Sequence, residues 1–332
     1  MSRAPRMSIG IDFGETNVKV VCLESGVSGQ QLVAHGFFRR AETNRLKEIF
    51  ASDILQRGRI RINFEDPSIK IRRVEVPAVP DNELPEVIKW ALKDVVATHV
   101  EDYIYRHHPL PKKIASSKVP YLVYAVQRKA LEDHLRYVKE LGLSHPDVVE
   151  PNASALFGSF TRTLPADVSQ FFVLLDFGSA TTLFAAMSGQ ALVFSRPLAG
   201  ISGNALTKQI SRDLGVSEED AERFKMDPER VPPEQRTLFK NTIGHFLTRT
   251  VTEIQRSMEA CAAQYPDVKP KKCFLFGGGA KLTNLRDHLC EALKQNIDFF
   301  DPFQDIGMGQ VLVNALEGKR HYYGLAMGLA LE

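Results

Sequence analysis

Two stretches decide the fold of this chain. The first is Ile9-Gly10-Ile11-Asp12-Phe13-Gly14-Glu15-Thr16-Asn17-Val18-Lys19-Val20-Val21; the second is Phe172-Val173-Leu174-Leu175-Asp176-Phe177-Gly178-Ser179-Ala180-Thr181-Thr182-Leu183-Phe184. Each is an apolar run that ends on Asp-Phe-Gly, passes through a small polar turn and returns into a second apolar run. That pattern reads as strand, tight turn, strand. The two aspartates are 164 residues apart in a chain of 332, which is almost half its length. One such unit is an ordinary hairpin with a surface aspartate; two at this spacing indicate a duplicated domain.

A turn of Gly, Ser and Thr gathers backbone N–H groups and hydroxyls at one point. Such a concavity suits phosphate oxygens, because glycine allows close approach and N–H dipoles favour negative charge. The aspartates Asp12 and Asp176 repel phosphate, but each can hold a hydrated Mg²⁺ that bridges phosphates. Two facing hairpins would clamp a polyphosphate from both sides. A third element, Leu275-Phe276-Gly277-Gly278-Gly279-Ala280, leaves room for a ribose or a flat ring against the backbone. It also reads as a plain strand-to-helix turn.

Outward from these motifs the pattern alternates strands and helices. Further strands are expected within 59–77, at 121–126, 147–150 and 272–276. Helices are expected at 81–96 with Asp81 as N-cap, at 129–141 with Gly142 closing it, and from Pro151 to Phe160. Helices at 203–214 and 217–226 follow, the second opened by Ser217-Glu218-Glu219-Asp220, an N-cap with an acidic first turn. After a proline-rich break at 227–233, a helix over 234–264 buries Phe239, Ile243, Phe246, Leu247, Val251 and Ile254 at helical spacing. Helices at 284–294 and 321–331 complete the reading, and 165–170 reads as a linker.

Composition excludes several classes. A net charge of +2 with scattered basic residues lacks the basic stripe of a nucleic-acid binder, so no nucleic-acid partner is expected. The four cysteines form no Cys-x-x-Cys pair and no zinc spacing, which fits buried thiols in a reducing compartment. The N-terminus lacks the apolar region of a signal peptide, and no run of 18 apolar residues occurs, so a cytoplasmic protein is expected. His107-His108 are adjacent and have no third ligand nearby, which favours a loop pair over a metal site.

The order of Asp-x-Gly hairpin, second hairpin with Thr181-Thr182 and then Gly-Gly-Gly resembles the actin, DnaK and FtsA ATPase superfamily. Within it the chain resembles the PilM-like proteins of type IV pilus assembly over nearly its whole length. The resemblance is carried by Ile9–Gly14 with Val18–Val21, Asp102–Leu110 with Tyr121–Val126, Gly203–Thr207 with Leu214–Glu222, and Gly324–Leu331. It implies an α/β, duplicated actin-like ATPase fold: two lobes, each a mixed sheet flanked by helices, with a small inserted subdomain. The implied divisions are a first-lobe core at 1–76, the inserted subdomain at 77–150 and a helix with linker at 151–170. The second-lobe core follows at 171–195, its subdomain at 196–250, a further core section at 251–315 and a closing helix on the first lobe at 316–332.

The resemblance also implies residue roles. Asp12, Gly14, Thr16, Asn17 and Lys19 fall in the first phosphate motif, and Asp176, Gly178, Ser179, Thr181 and Thr182 in the second. Gly277, Gly278 and Gly279 match the adenosine motif. Glu222 and Lys225 match residues near the ribose and base, although at i and i+3 they also read as a solvated ion pair. Glu150, in Glu150-Pro151-Asn152-Ala153-Ser154-Ala155, matches a catalytic carboxylate near the attacking water; its other reading is a helix-start acid. Glu15 departs from relatives, which carry a small Ser or Thr there against the terminal phosphate, and its charge bears on triphosphate affinity and turnover.

The implied ligands are ATP and Mg²⁺, bound as part of a scaffold rather than for rapid turnover. The implied partner is the N-terminal cytoplasmic segment of a PilN-like inner-membrane protein, held beside the inserted subdomain, with the pilus assembly ATPase as a further candidate. The chain would then sit at the inner face of the inner membrane through its partners. The alternatives are an active ATPase, a filament former of the FtsA or MreB kind, and a GspL-like type II secretion component.

Overall fold

The computed structural model describes residues 6–26, 29–96, 99–110, 117–163, 170–189, 191–265 and 270–331. The expected linker at 165–170 lies, apart from its last residue, outside them. The chain opens with a three-stranded meander of β1 (Arg6–Phe13), β2 (Asn17–Gly26) and β3 (Gly29–Arg39). Helices α1 (Thr43–Phe50) and α2 (Asp53–Arg57) lead into β4 (Arg59–Phe64), which runs parallel to β1. Next come β5 (Lys70–Pro77), α3 (Leu84–Leu92), β6 (Tyr103–Pro109) and β7 (Lys118–Gln127). Helix α4 (Arg128–Glu140) returns the chain to β8 (Val148–Pro151), parallel to β4, and α5 (Asn152–Thr163) crosses to the second half.

That half repeats the plan. β9 (Phe171–Phe177), β10 (Thr182–Ser188) and β11 (Ala191–Leu198) form a second meander. Helices α6 (Gly203–Leu214), α7 (Glu218–Met226) and α8 (Arg236–Gln264) precede β12 (Lys272–Phe276). Helix α9 (Leu285–Leu293), β13 (Ile297–Phe299), α10 (Gln310–Ala315) and α11 (Gly324–Ala330) follow. The two large sheets have the orders β3-β2-β1-β4-β8 and β11-β10-β9-β12-β13. Strand for strand these match, with the first three antiparallel and the last two parallel in each. The echo in the sequence is therefore a duplicated sheet.

Period-two alternation explains how the first sheet is buried. Ile9 and Ile11 join Val18, Val20 and the α1 residues Leu46 and Phe50 in one core. On the opposite face Val21 and Leu23 pack with Phe303, Leu316, Ala326 and Met327. Helix α11 crosses α5 at a point with no room for side chains: a Cβ on Gly328 would lie 1.7 Å from the Ala155 carbonyl oxygen. This crossing joins the halves behind the cleft.

Sheet membership moves several expected boundaries. β5 pairs with β7, so the inserted subdomain begins at Lys70 rather than at 77. β8 belongs to the first large sheet, so the insertion ends near Gln127 rather than at 150. The closing section begins earlier than 316, since Phe303 already packs on first-lobe residues and Gly307 bridges to Gln31 of β3. Helix α3 starts three residues after the expected Asp81 cap, because Asp81 to Glu83 form a turn in which Glu83 and Leu84 N–H donate to the Pro80 carbonyl. Pro151 ends β8, and α5 starts at Asn152. Ser217 caps α7 as expected, its Oγ accepting from Asp220 N–H. His107 and His108 lie in β6, not in a loop, and alternation sends adjacent strand residues to opposite faces.

Candidate functional site

The two Asp-x-Gly turns form walls of a single cleft of about 1690 Å³ between the lobes. They are closed by the same hydrogen bond. Gly14 N–H donates to Asn17 O at 3.1 Å, and Gly178 N–H donates to Thr181 O at 3.0 Å. The second turn is also tied to the start of α6, with Gly203 N–H on Gly178 O and Asn204 N–H on Ser179 O.

Asp12 is almost fully buried at the end of β1. Its Oδ2 accepts from Lys19 Nζ at 2.6 Å, and its Oδ1 accepts from Asn63 Nδ2 at 3.1 Å. Asn63, on β4, also accepts from Phe13 N–H at 2.6 Å and donates to Asn152 Oδ1 at 2.8 Å. It therefore joins the first turn, β4 and the start of α5. Asp176 occupies the equivalent end of β9. Burial pushes its carboxyl up to about 7, the negative charge of Asp12 adds to the rise, and Lys19 partly offsets it. Nearby Glu65, which lines the cleft with its side chain still open to solvent, is also pushed up to about 7, by desolvation first and then by Asp176 and Asp66. This accumulation of carboxyl groups around Lys19 favours a cation in the cleft.

The glycine triplet sits beside Asp176. Gly277 has φ +81°, and a Cβ there would lie 2.4 Å from Asp176 Oδ1. Gly278 faces open space within the cleft. Across from it stands the Glu222–Lys225 pair of α7. Lys225 Nζ donates to the Gly203 carbonyl at 3.1 Å and lies 2.8 Å from Thr207 Oγ1, and Thr207 Oγ1 also contacts the Glu222 carboxylate. Lys225 is only 12% exposed, so the lysine is built into the cleft wall, while its partner Glu222 is 48% exposed.

Most of the expected residues meet here: Asp12, Gly14, Thr16, Asn17 and Lys19 from one lobe face Asp176, Gly178, Ser179 and Thr181 from the other. Thr182 does not. It is fully buried behind the cleft and its Oγ has no hydrogen-bond partner, because strand alternation sends it to the face opposite Thr181. Glu150 is also not among the cleft-lining residues. One of its oxygens accepts from Ser154 Oγ at 3.0 Å, and the other lies 3.6 Å from Arg61 Nη1. The cleft wall at that point is formed instead by Pro151, Asn152 and Ala153. Glu15 stands on the cleft lining, 61% exposed, and its carboxylate lies 3.5 Å from Arg40 Nη1.

Three residues of this site have no signature in local sequence: Asn63, Glu65 and Arg40. The only hint for Asn63 is one amide within an otherwise apolar strand end. No helix among the described residues is long and apolar enough to cross a membrane, and no group of three or more His, Cys, Asp or Glu residues among them is arranged to hold a metal unaided.

The model of the type IV pilus assembly protein PilM family matches residues 71–332. The chain belongs to the PilM family. The match begins after the first hairpin. Among solved structures, a PilM–PilN type IV pilus biogenesis complex aligns with a TM-score of 0.84 at 22% identity, covering 98% of this chain and 97% of that one. The ethanolamine utilization protein EutJ from Carboxydothermus hydrogenoformans aligns with a TM-score of 0.53 at 13% identity, covering 100% of this chain and 91% of that one. These likenesses show the actin-like ATPase fold. No curated protein sequence matches this PilM-family chain.

Proposed function

We propose that this chain is a nucleotide-binding scaffold of a type IV pilus assembly platform, holding Mg-ATP between its lobes and recruiting a PilN-like membrane protein. The observation that carries the nucleotide reading is the pair of identically closed turns facing each other in one cleft, each with a buried aspartate at its base. The residues fit the ligand. Turn amides and Lys19 suit phosphates, and Gly278 leaves open space opposite Glu222 and Lys225 for the nucleoside. Asp12 and Asp176 would hold the hydrated Mg²⁺, whose charge would offset the burial and the Asp12 charge that together raise the Asp176 carboxyl. When bound, Mg²⁺ supplies charge neutralisation between phosphates and carboxylates.

The scaffold reading is supported by Glu150, which pairs with Arg61 and Ser154 and does not line the cleft. The partner reading rests on family membership and on the PilM–PilN complex whose fold this chain shares. An extended N-terminal peptide of a PilN-like protein would dock on the first half of the chain, beside the inserted subdomain. There the β6 edge of a three-stranded sheet and the exposed Trp90 of α3 offer backbone groups and an aromatic anchor. Such a partner would bring the protein to the inner face of the inner membrane.

Equilibrium titration of ATP with and without Mg²⁺, with phosphate release followed in the same sample, tests the cleft. Tight Mg²⁺-dependent binding with little release is expected, and Asp12→Ala or Asp176→Ala should lower affinity at least tenfold while the protein still melts cooperatively. Unchanged affinity in both variants would remove the cleft assignment. Photo-crosslinking of a PilN-like peptide to the full chain should map to residues before 150; crosslinks only within 196–250 would overturn the docking site.

A further inference from the structure

The two phosphate turns differ in one respect. The second, Gly178-Ser179-Ala180-Thr181, carries no charged side chain, whereas the first, Gly14-Glu15-Thr16-Asn17, carries Glu15. Glu15 is answered by Arg40 at the end of β3. Arg40 is held chiefly by other groups: its Nε donates to Tyr137 Oη at 3.0 Å, and its guanidinium stacks 4.6 Å over the Tyr137 ring. Its Nη1 reaches the Gly14 carbonyl at 3.4 Å, and its backbone N–H donates to the Thr16 carbonyl at 2.9 Å. The guanidinium is thus fixed at the turn whether or not Glu15 is engaged. Glu15 itself is exposed and only loosely paired at 3.5 Å.

Two other ion-paired cations of the cleft have closer counter-ions. Lys19 lies 2.6 Å from Asp12, and Arg196 lies 3.0 Å from Glu253. Of these three, Arg40 has the longest ion pair, and its partner is the most exposed, so an arriving anion displaces it most readily. The groups assigned to the nucleoside, Gly277–Gly279 with Glu222 and Lys225, all belong to the second lobe. The first-lobe turn therefore meets the phosphates furthest from the ribose.

We propose that the Glu15–Arg40 pair sets the cleft's discrimination between nucleoside diphosphates and triphosphates. This rests on the nucleotide reading given above. Arg40 attracts the terminal phosphate and Glu15 opposes it, so the extra negative charge of a triphosphate gains little over a diphosphate. In a watery cleft, removing one unit charge from beside the terminal phosphate changes affinity by about fourfold or more.

The test is calorimetric titration of the full chain with ATP and ADP, both with Mg²⁺. Glu15→Ser should raise the ratio of ATP to ADP affinity by about fourfold or more, and Arg40→Gln should lower it by a similar factor. The double variant should return the ratio close to its starting value. Because Glu15 is exposed, Glu15→Ser leaves the fold intact and decides the matter even if Arg40→Gln melts early. A ratio unchanged by Glu15→Ser, or equal changes for ATP and ADP, would overturn the proposal while leaving nucleotide binding in place. A wild-type chain that binds neither nucleotide would overturn the nucleotide reading itself.

Discussion

The Asp176 carboxylate lies directly against Gly277, so that a Cβ on Gly277 would stand 2.4 Å from Asp176 Oδ1 and 2.5 Å from the Phe177 carbonyl. The left-handed φ of +81° already restricts this position to glycine. Gly277→Ala should therefore destabilise the protein by about 2–4 kcal/mol, from backbone strain and displacement of a buried group. Gly278→Ala makes the contrast. Its Cβ meets nothing within 4 Å, so stability should stay within about 0.5 kcal/mol of wild type while nucleotide affinity falls. Thermal melting with ATP titration separates the two effects. If Gly278→Ala binds nucleotide as tightly as wild type, the triplet does not meet the nucleoside.

Asn63 completes the first aspartate's surroundings. Replacing it with alanine leaves Phe13 N–H and Asp12 Oδ1 without protein partners in a buried setting. Each such group costs about 1–3 kcal/mol, so a loss of about 2–4 kcal/mol is expected on urea denaturation. Asn152→Ala removes only one of the amide's contacts and should cost about 1 kcal/mol. Equal losses would mean that Asn63 acts through packing alone.

The site is only partly legible in the sequence, for physical reasons. The hairpins are legible because both the apolar alternation and the Asp-Phe-Gly turn are local. The Ser217 cap and the strand at 272–276 are legible for the same reason. β3 is not, because as the edge of its sheet it carries Gln30, Gln31, His35 and Arg39 among its apolar residues and loses a clean period. Asn63 and Arg40 are invisible because their roles depend on β1–β4 pairing and on α4 packing over the turn, which no local spacing encodes. Thr182 could have been separated from Thr181 by alternation alone, since Thr181 precedes β10 and Thr182 begins it. Glu150 matches a family motif, but the motif does not include Arg61, the residue that pairs with it.

That pairing yields a prediction. The Arg61–Glu150 contact is partly buried, with side-chain exposures of 18% and 21%. Glu150→Gln should cost about 0.5–1 kcal/mol of stability, in the range of a partly screened ion pair. Nucleotide affinity and any phosphate release should remain within about twofold of wild type, because the carboxylate does not line the cleft. A large drop in phosphate release, with stability intact, would restore the water-orienting role.

The protonation of the cleft carboxyls fixes the sign of its pH dependence. Desolvation first, and neighbouring carboxylates second, push Asp176 and Glu65 up to about 7, above their ordinary values of 3.8 and 4.5. The folded state therefore binds these protons more tightly than the unfolded state, and the ligand-free protein should lose stability as pH rises from about 4 to about 7. Above that range these two groups contribute no further slope. Mg²⁺ requires the ionised carboxylate, so metal-dependent nucleotide affinity should move the opposite way and rise through pH 7. Asp176→Asn should flatten most of the Mg²⁺-linked rise, and Glu65→Gln should remove part of the stability slope without touching Asp12. Denaturation and ATP titration across pH 5 to 8 measure both trends. If ligand-free stability rose over that interval and Asp176→Asn left the slope unchanged, Asp176 would be ionised in the empty cleft, and its protonation could not be the source of any pH-linked rise in metal-dependent affinity.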